Sequence, residues 1–203
     1  MKRTYAGQLS TTADAQQLHW GLVLGLNIPE TVGNDGRTGV QVRLYSFKVQ
    51  IVIRNLSSVA GWVRCMLLQK HKPEIQLGAP GNELFENFGQ GIEGDDYSGG
   101  GQAGINRGIN RRLYTPIFDK KFRFLQGEDV PQRSIALGRN EVNKKFMIPI
   151  NKTVKFTGNA GTTLANSDVL PNMQWVCFVQ WDDGSTTRAL DRLSYDSILY
   201  FKE

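Results

Sequence analysis

The sequence predicts an all-β protein, an antiparallel sandwich or jelly roll with long loops. Three observations carry that expectation. Several segments alternate apolar and polar residues with a period of two, helical spacing is almost absent, and gaps rich in glycine, proline and small polar residues separate the alternating runs. A chain of 203 residues can bury one sizeable core. Its 40% hydrophobic and 21% charged residues exclude wholesale disorder and a collagen-like chain.

Residues 1–37 mix small and polar groups with one apolar burst, Leu18 to Ile28, interrupted by Gly21 and Gly25 and closed by Pro29. They read as an extended arm with one short strand, ahead of a single domain over 38–203. Val40 to Arg54 then alternates, with Tyr45, Phe47, Val49, Ile51 and Ile53 on one face and Ser46, Lys48, Gln50 and Arg54 on the other. Val52 is the exception. The pattern predicts a half-buried strand with a basic outer face. Trp62 to Lys70 predicts a second long strand, and Asn82 is placed to cap a short helical turn over Glu83 to Phe88. Gly89 to Gly108 holds eight glycines in twenty residues and reads as a long loop. Phe118, Phe122 and Phe124 alternate with Asp119, Lys121 and Arg123, giving a strand with one aromatic and one mostly basic face. After a connector from Gln126 to Asn143, Phe146, Ile148, Ile150, Val154 and Phe156 keep period two across Pro149. A proline cannot donate to a ladder, so it marks a sheet edge or a break between two strands. Gly158 to Asn172 reads as a surface loop. Met173 to Trp181, apolar on both faces, predicts a central strand, and Leu193 to Lys202 the last of seven or eight.

The net charge is +5 and the isoelectric point about 9.3, with the basic groups in two blocks. One is Arg37, Arg43, Lys48 and Arg54; the other runs from Arg107, Arg111 and Arg112 through Lys120, Lys121 and Arg123 to Lys144, Lys145, Lys152 and Lys155. Residues 76–106 carry five carboxylates and no basic residue. Basic side chains repeated along strands suit a sheet facing a polyanion, because neutralising phosphates releases counterions. A solvated surface face is the alternative.

Several chemistries lack their residues. Cys65 and Cys177 lie in apolar runs and read as buried thiols, and with only His19 and His71 besides, a zinc site has too few ligands. Gly94-Asp95-Asp96 matches the metal-binding tripeptide of polymerases but sits in a glycine loop of a chain too short for one. The run from Gly99 to Gly104 fits a dinucleotide pattern with no strand before it and no helix after it. No nucleophile elbow or P-loop occurs, so neither enzyme activity nor a cofactor is expected. No apolar run is long enough to cross a membrane, and Met1-Lys2-Arg3 leads into polar Thr4 to Gln17, so a soluble chain with no membrane partner is expected. The sequons at Asn55 and Asn151 read as chance without a secretory signal.

Three segments, in order, carry a resemblance to a known family. Gly36-Arg37-Thr38-Gly39-Val40-Gln41-Val42-Arg43-Leu44-Tyr45-Ser46-Phe47-Lys48-Val49 looks like the opening strand of small single jelly-roll coat proteins. Ile117-Phe118-Asp119-Lys120-Lys121-Phe122-Arg123-Phe124-Leu125-Gln126 is similar to their central basic and aromatic strand. The third runs from Asn143-Lys144-Lys145-Phe146 through Lys152-Thr153-Val154-Lys155-Phe156 and Gln174-Trp175-Val176-Cys177-Phe178-Val179 to Ser197-Ile198-Leu199-Tyr200-Phe201-Lys202. It resembles the last four strands of coat proteins from small circular single-stranded DNA viruses of the circovirus, nanovirus and geminivirus kind. Satellite necrosis virus coat proteins, which package RNA, share the pattern. The chain departs from many members in carrying only Lys2 and Arg3 where they have an arginine-rich arm.

The resemblance, over roughly Arg37 to Lys202, implies an eight-stranded antiparallel jelly roll of two four-stranded sheets. About sixty copies would close a minimal (T=1) icosahedral shell around single-stranded nucleic acid, with circular DNA expected. The chain would reside in the virion, pass through the host nucleus if the genome is DNA, and meet a host receptor that the sequence does not identify. Lys2, Arg3, Arg37, Arg43, Lys48, Arg54, Lys121 and Arg123 are the residues expected to face the genome. The acidic glycine loop Gln76 to Gly108 and the loop Gly158 to Asn172 are expected to project outward or toward symmetry axes, with Asp95 and Asp96 a candidate calcium pair between subunits. Two rivals make different demands. A secreted carbohydrate-binding sandwich wants exposed aromatics such as Trp62 or Trp181, and a single-stranded nucleic-acid-binding module wants Phe118, Phe122 and Phe124 open to solvent, where the coat reading buries them.

Overall fold

Where the sequence alternates, the chain is extended and paired. The structure, a computed structural model, describes residues 2–8, 18–26, 28, 39–72, 74–75, 84–86, 105–127, 141–157, 168–184, 188 and 190–202, with backbone alone at 2–8 and 18–21. It contains strands β1 (Lys2–Gln8), β2 (Leu18–Val23), β3 (Gln41–Arg54), β4 (Gly61–Lys70), β5 (Tyr114–Phe124), β6 (Glu141–Phe156), β7 (Val169–Leu170), β8 (Met173–Trp181) and β9 (Arg192–Lys202). No α-helix occurs among the described residues. The strands form two antiparallel sheets, one five-stranded in the order β1-β9-β3-β6-β7 and one four-stranded in the order β2-β8-β4-β5. Apart from the two-residue β7, the pairing is nested: β4 with β5, β3 with β6, β2 with β8 and β1 with β9, successive pairs falling in alternate sheets.

The inward faces of both sheets make one core, the arrangement of a β-sandwich. Trp175 on β8 sits edge-on to Phe47 on β3, with ring centroids 5.8 Å apart, and Phe124 meets Trp181 at 5.2 Å. Phe118 and Phe122 pack on Phe146 at 4.9 and 6.3 Å, so the aromatic face of β5 is turned into the sandwich. All nine residues of β8 are buried between β2 and β4, including Gln174 and Gln180, as a strand apolar on both faces predicts. Cys65 and Cys177 are opposite each other in the β4–β8 ladder, both free and buried, with their sulfurs 3.6 Å apart. Burial and the neighbouring thiol push Cys65 well above its ordinary pKa. β6 runs unbroken through Pro149, and its outer neighbour β7 touches only Lys155 and Phe156, so Pro149 lies on a sheet edge.

Four expectations differ from the structure. Within residues 1–37, expected as an arm with one short strand, the short strand is β2 and a further strand, β1, is added, each closing one sheet of the sandwich. Within Gly158 to Asn172, expected as loop, Val169–Leu170 pairs with the end of β6. Over Glu83 to Phe88 the described residues Leu84, Phe85 and Glu86 are extended instead of helical: Asn110 donates to the Leu84 carbonyl at 2.8 Å and Glu86 to that of Gly108 at 2.9 Å. That pairing satisfies the backbone while Leu84 and Phe85 are buried. Finally, Tyr45 does not join Phe47 and Val49 in the core. From Leu44 to Ser46 the β9 ladder moves only from Phe201 to Tyr200, whereas the β6 ladder moves from Lys152 to Pro149. This bulge resets the alternation and turns Tyr45 outward, 39% exposed.

The two sheets treat their outward faces differently. Over the four-stranded sheet, Met66, Leu68, Val176 and Phe178 are roofed by Ile75, Leu84, Phe85, Ile105 and Ile109 in a second apolar cluster. Arg64 on β4 pins this roof. Its guanidinium donates to both carboxylate oxygens of Asp119 at 2.8 and 2.6 Å and to the Arg107 carbonyl at 2.6 Å, 5.4 Å above the Phe85 ring. The outward face of the five-stranded sheet carries no such cover among the described residues.

Candidate nucleic-acid interface

The open face is built by antiparallel register, which lines up residues of β6, β3 and β9 in rows across the sheet, neighbouring strands in a row lying about 4.8 Å apart. Starting from the end where β3 begins, Lys155 stands beside Gln41, then Thr153, Arg43 and Lys202 form a row. Pro149, Ser46 and Tyr200 follow, with Tyr45 bulged beside them. Next come Met147, Lys48 and Ile198, then Lys145, Gln50 and Asp196, then Asn143, Val52 and Ser194, and at the far end Glu141, Arg54 and Arg192.

Charge is graded along these rows. The near half holds Lys155, Arg43, Lys202 and Lys48 and no carboxylate from the three strands. Among the described residues, no acidic group forms an ion pair with Arg43, Lys48, Lys145, Lys155 or Lys202. The far half is balanced, with Glu141 opposite Arg54 and Asp191 at 3.3 Å from the Arg54 guanidinium. Aromatic and apolar groups lie between the cations. The Arg43 guanidinium sits 5.5 Å from the Tyr45 ring centroid, and Met147, beside Lys48, is 59% exposed. Unclaimed cations interleaved with rings and a flexible thioether can hold an anionic chain at its phosphates while meeting its bases.

Sequence reasoning brought part of this set together. Arg43, Lys48 and Arg54 share the open face. Lys2 pairs with Tyr200 and Arg3 with Leu199 on the edge strand β1, and Arg37 lies outside the described residues. Lys121 and Arg123 do not belong to the group. They stand on the outward side of β5, opposite Arg64 and Trp62, on the other sheet. There Lys121 donates to Asn106 at 2.6 Å, and Arg123 is claimed by Asp182 at 2.7 Å and lies over Trp62 at 5.9 Å. The residues that sequence reasoning left out of the group are Lys145, Lys155, Arg192 and Lys202. The first two stood in a noted basic block, but only cross-strand register joins them to Arg43 and Lys48.

Other candidates resolve differently. Gly94-Asp95-Asp96 and the glycine run after it lie outside the described residues, and with them the calcium expectation. Among the described residues no group of three His, Cys, Asp or Glu side chains could hold a metal ion. Trp181 is 1% exposed and Trp62 is half-buried beneath Arg123, so neither offers the open ring that the carbohydrate rival wants. Phe118 and Phe122 are half-buried against the core and Phe124 is buried, which removes the platform of the nucleic-acid-module rival as first located. Asn55 is fully buried, its amide donating to the Val59 and Leu125 carbonyls at 2.9 and 2.8 Å, so that sequon presents no accessible side chain. No protein-family model matches the chain, and no curated protein matches it.

Proposed function

We propose that this chain is a coat subunit that self-assembles into a small icosahedral shell and holds single-stranded nucleic acid against the outward face of its β1-β9-β3-β6 sheet. The observation that carries the reading is the coupling of two features. The nested strand order, with β7 set aside, follows the wrapping of an eight-stranded jelly roll: first strand beside last in one sheet, second beside second-last in the other. One outward face of that wrap is roofed, and the open one bears Arg43, Lys48, Lys145, Lys155 and Lys202, none with an acidic partner among the described residues.

One further feature supports assembly. Leu56 and Leu125 are 55% and 61% exposed at the same end of the sandwich, where the Asn55 amide ties their two segments together. Large exposed apolar side chains suit burial against a neighbouring copy. About sixty copies at +5 would offset only about 300 phosphates even with every charge facing inward, so an enclosed genome of ordinary length would draw on additional counterions. Circular DNA as the cargo and an eight-stranded jelly roll as the fold come from the family resemblance. A nucleic-acid-binding protein that forms no shell uses the same basic face, and oligomeric state separates the two.

Size-exclusion chromatography with negative-stain microscopy of the full chain tests the proposal. The expected result is closed particles of about sixty 22.7 kDa subunits. A monomer or small oligomer under all salt conditions, with nucleic acid present, overturns it.

A further inference from the structure

We infer that the bulge at Tyr45 builds a base-stacking position into the basic face, with Tyr45 under an unpaired base and Arg43, Lys155 and Lys202 on the flanking phosphates. The ligand class is therefore single-stranded nucleic acid, as distinct from a duplex or a bare polyanion. This deepens the interface reading above and rests on it.

Tyr45 lies between Leu44 and Phe47, both with no exposed surface, in a strand whose other apolar residues are mostly turned inward. Counted back from Phe47 and Val49, alternation would bury it; the register shifts on both sides keep it instead on the face of Gln41 and Arg43, 39% exposed. A bulge that re-aims one side chain is a recurrent device at functional surfaces. The ring arrives on the half of the face that has cations and no carboxylates, beside Arg43 at 5.5 Å. Lys202 is directly opposite Arg43 on β9, and Lys155 is opposite Gln41 on β6. Tyr200, half-buried, faces outward in the next row opposite Ser46 and offers a second ring nearby.

Chemistry selects the ligand. Arg54 and Arg123 are occupied by carboxylates, whereas the Arg43 guanidinium lies over a ring, a contact that leaves its charge unneutralised. A duplex keeps its base faces stacked inside and presents phosphates and groove edges, with no open face for a ring to stack on. A single strand can lay a base on the ring, and that contact tolerates any sequence because every base has a π-face.

The test is a fluorescence-anisotropy titration of the full chain with a short oligothymidylate and with a duplex of the same length, across a salt series. Tyr45→Ala is expected to weaken single-strand binding about 5- to 100-fold with an unchanged salt slope and to leave duplex binding as it was. Tyr45→Phe is expected to bind like the parent, which also shows that the bulge still folds. Arg43→Ala is expected to lower the single-strand salt slope by about 0.7. Equal weakening of single strand and duplex by Tyr45→Ala overturns stacking. So does parental affinity in Tyr45→Ala while Arg43→Ala weakens binding, an outcome that leaves the basic interface standing. If neither Arg43→Ala nor a Lys155→Ala, Lys202→Ala pair alters binding, the interface reading itself falls, and the stacking position with it.

Discussion

The outward faces of the two sheets both carry cations, but their surroundings give those charges different availability. On the β2-β8-β4-β5 side, Arg64 is 7% exposed and locked to Asp119, Arg123 is paired with Asp182, and an apolar roof covers the sheet. On the β1-β9-β3-β6 side, Arg43, Lys48, Lys145, Lys155 and Lys202 stand without an acidic partner among the described residues. The difference teaches that a count of basic residues overstates what a polyanion meets. A cation already compensated by a carboxylate adds structure, and an uncompensated one adds attraction. The roofed side uses its charge to hold loops in place, and the open side leaves its charge exposed.

The contrast can be broken most forcefully at the roof. Phe85 packs on Phe178 at 5.1 Å and beneath Arg64, so Phe85→Ala is expected to lower the unfolding free energy by about 3–5 kcal/mol in urea titration and to increase binding of a hydrophobic dye. A loss below about 1 kcal/mol would mean that the roof is not part of the cooperative fold. Charge reversal sharpens the comparison directly. Arg43→Glu with Lys48→Glu is expected to weaken oligonucleotide binding about 100-fold at moderate salt, and Lys121→Glu with Arg123→Glu less than about threefold. Equal losses from the two pairs would erase the distinction between the faces. The smallest effect belongs to the core that both sheets share. The Cys65 thiol is held above its ordinary value of 9.0 by burial first and by Cys177 next, so the unfolded chain releases that proton first. Stability therefore declines as pH rises past 9, by up to about 1.4 kcal/mol per unit for this one group, until the folded thiol ionises as well. Lys70, lowered by burial from 10.5, contributes the opposite slope just below that value. Denaturant midpoints of wild type and Cys65→Val across pH 8 to 10 isolate the thiol, the variant losing stability less steeply.

The strands most legible in the sequence are those whose burial is one-sided or complete. β3, β4, β5, β8 and β9 follow from alternation or uniform apolarity, because a strand half in a core must alternate and one wholly inside it cannot. β1 and β2 were not legible as sandwich strands: Lys2–Gln8 has too few apolar residues to signal a face, and Leu18–Val23 is short. Their place comes from ladders with β9 and β8, partners that lie far away in the chain. The candidate site divides the same way. Arg43, Lys48 and Arg54 could be grouped because they share one strand and one parity, apart from the shift at Tyr45. Lys121 and Arg123 were grouped with them because alternation identifies a face of a strand without saying to which sheet that strand belongs.

By itself, then, the sequence determined the all-β class, the aromatic and aliphatic core positions, the buried thiols and the presence of a basic strand face. Each follows from burial acting on near neighbours along the chain, with a period the sequence displays openly. Tertiary structure decided which cations meet, which are neutralised, and which way Tyr45 points. Those outcomes depend on register between β3, β6 and β9 and on carboxylates such as Asp119 and Asp182. A ladder fixes such contacts by pairing residues more than a hundred positions apart, as Arg43 with Lys202, and no local pattern encodes that distance.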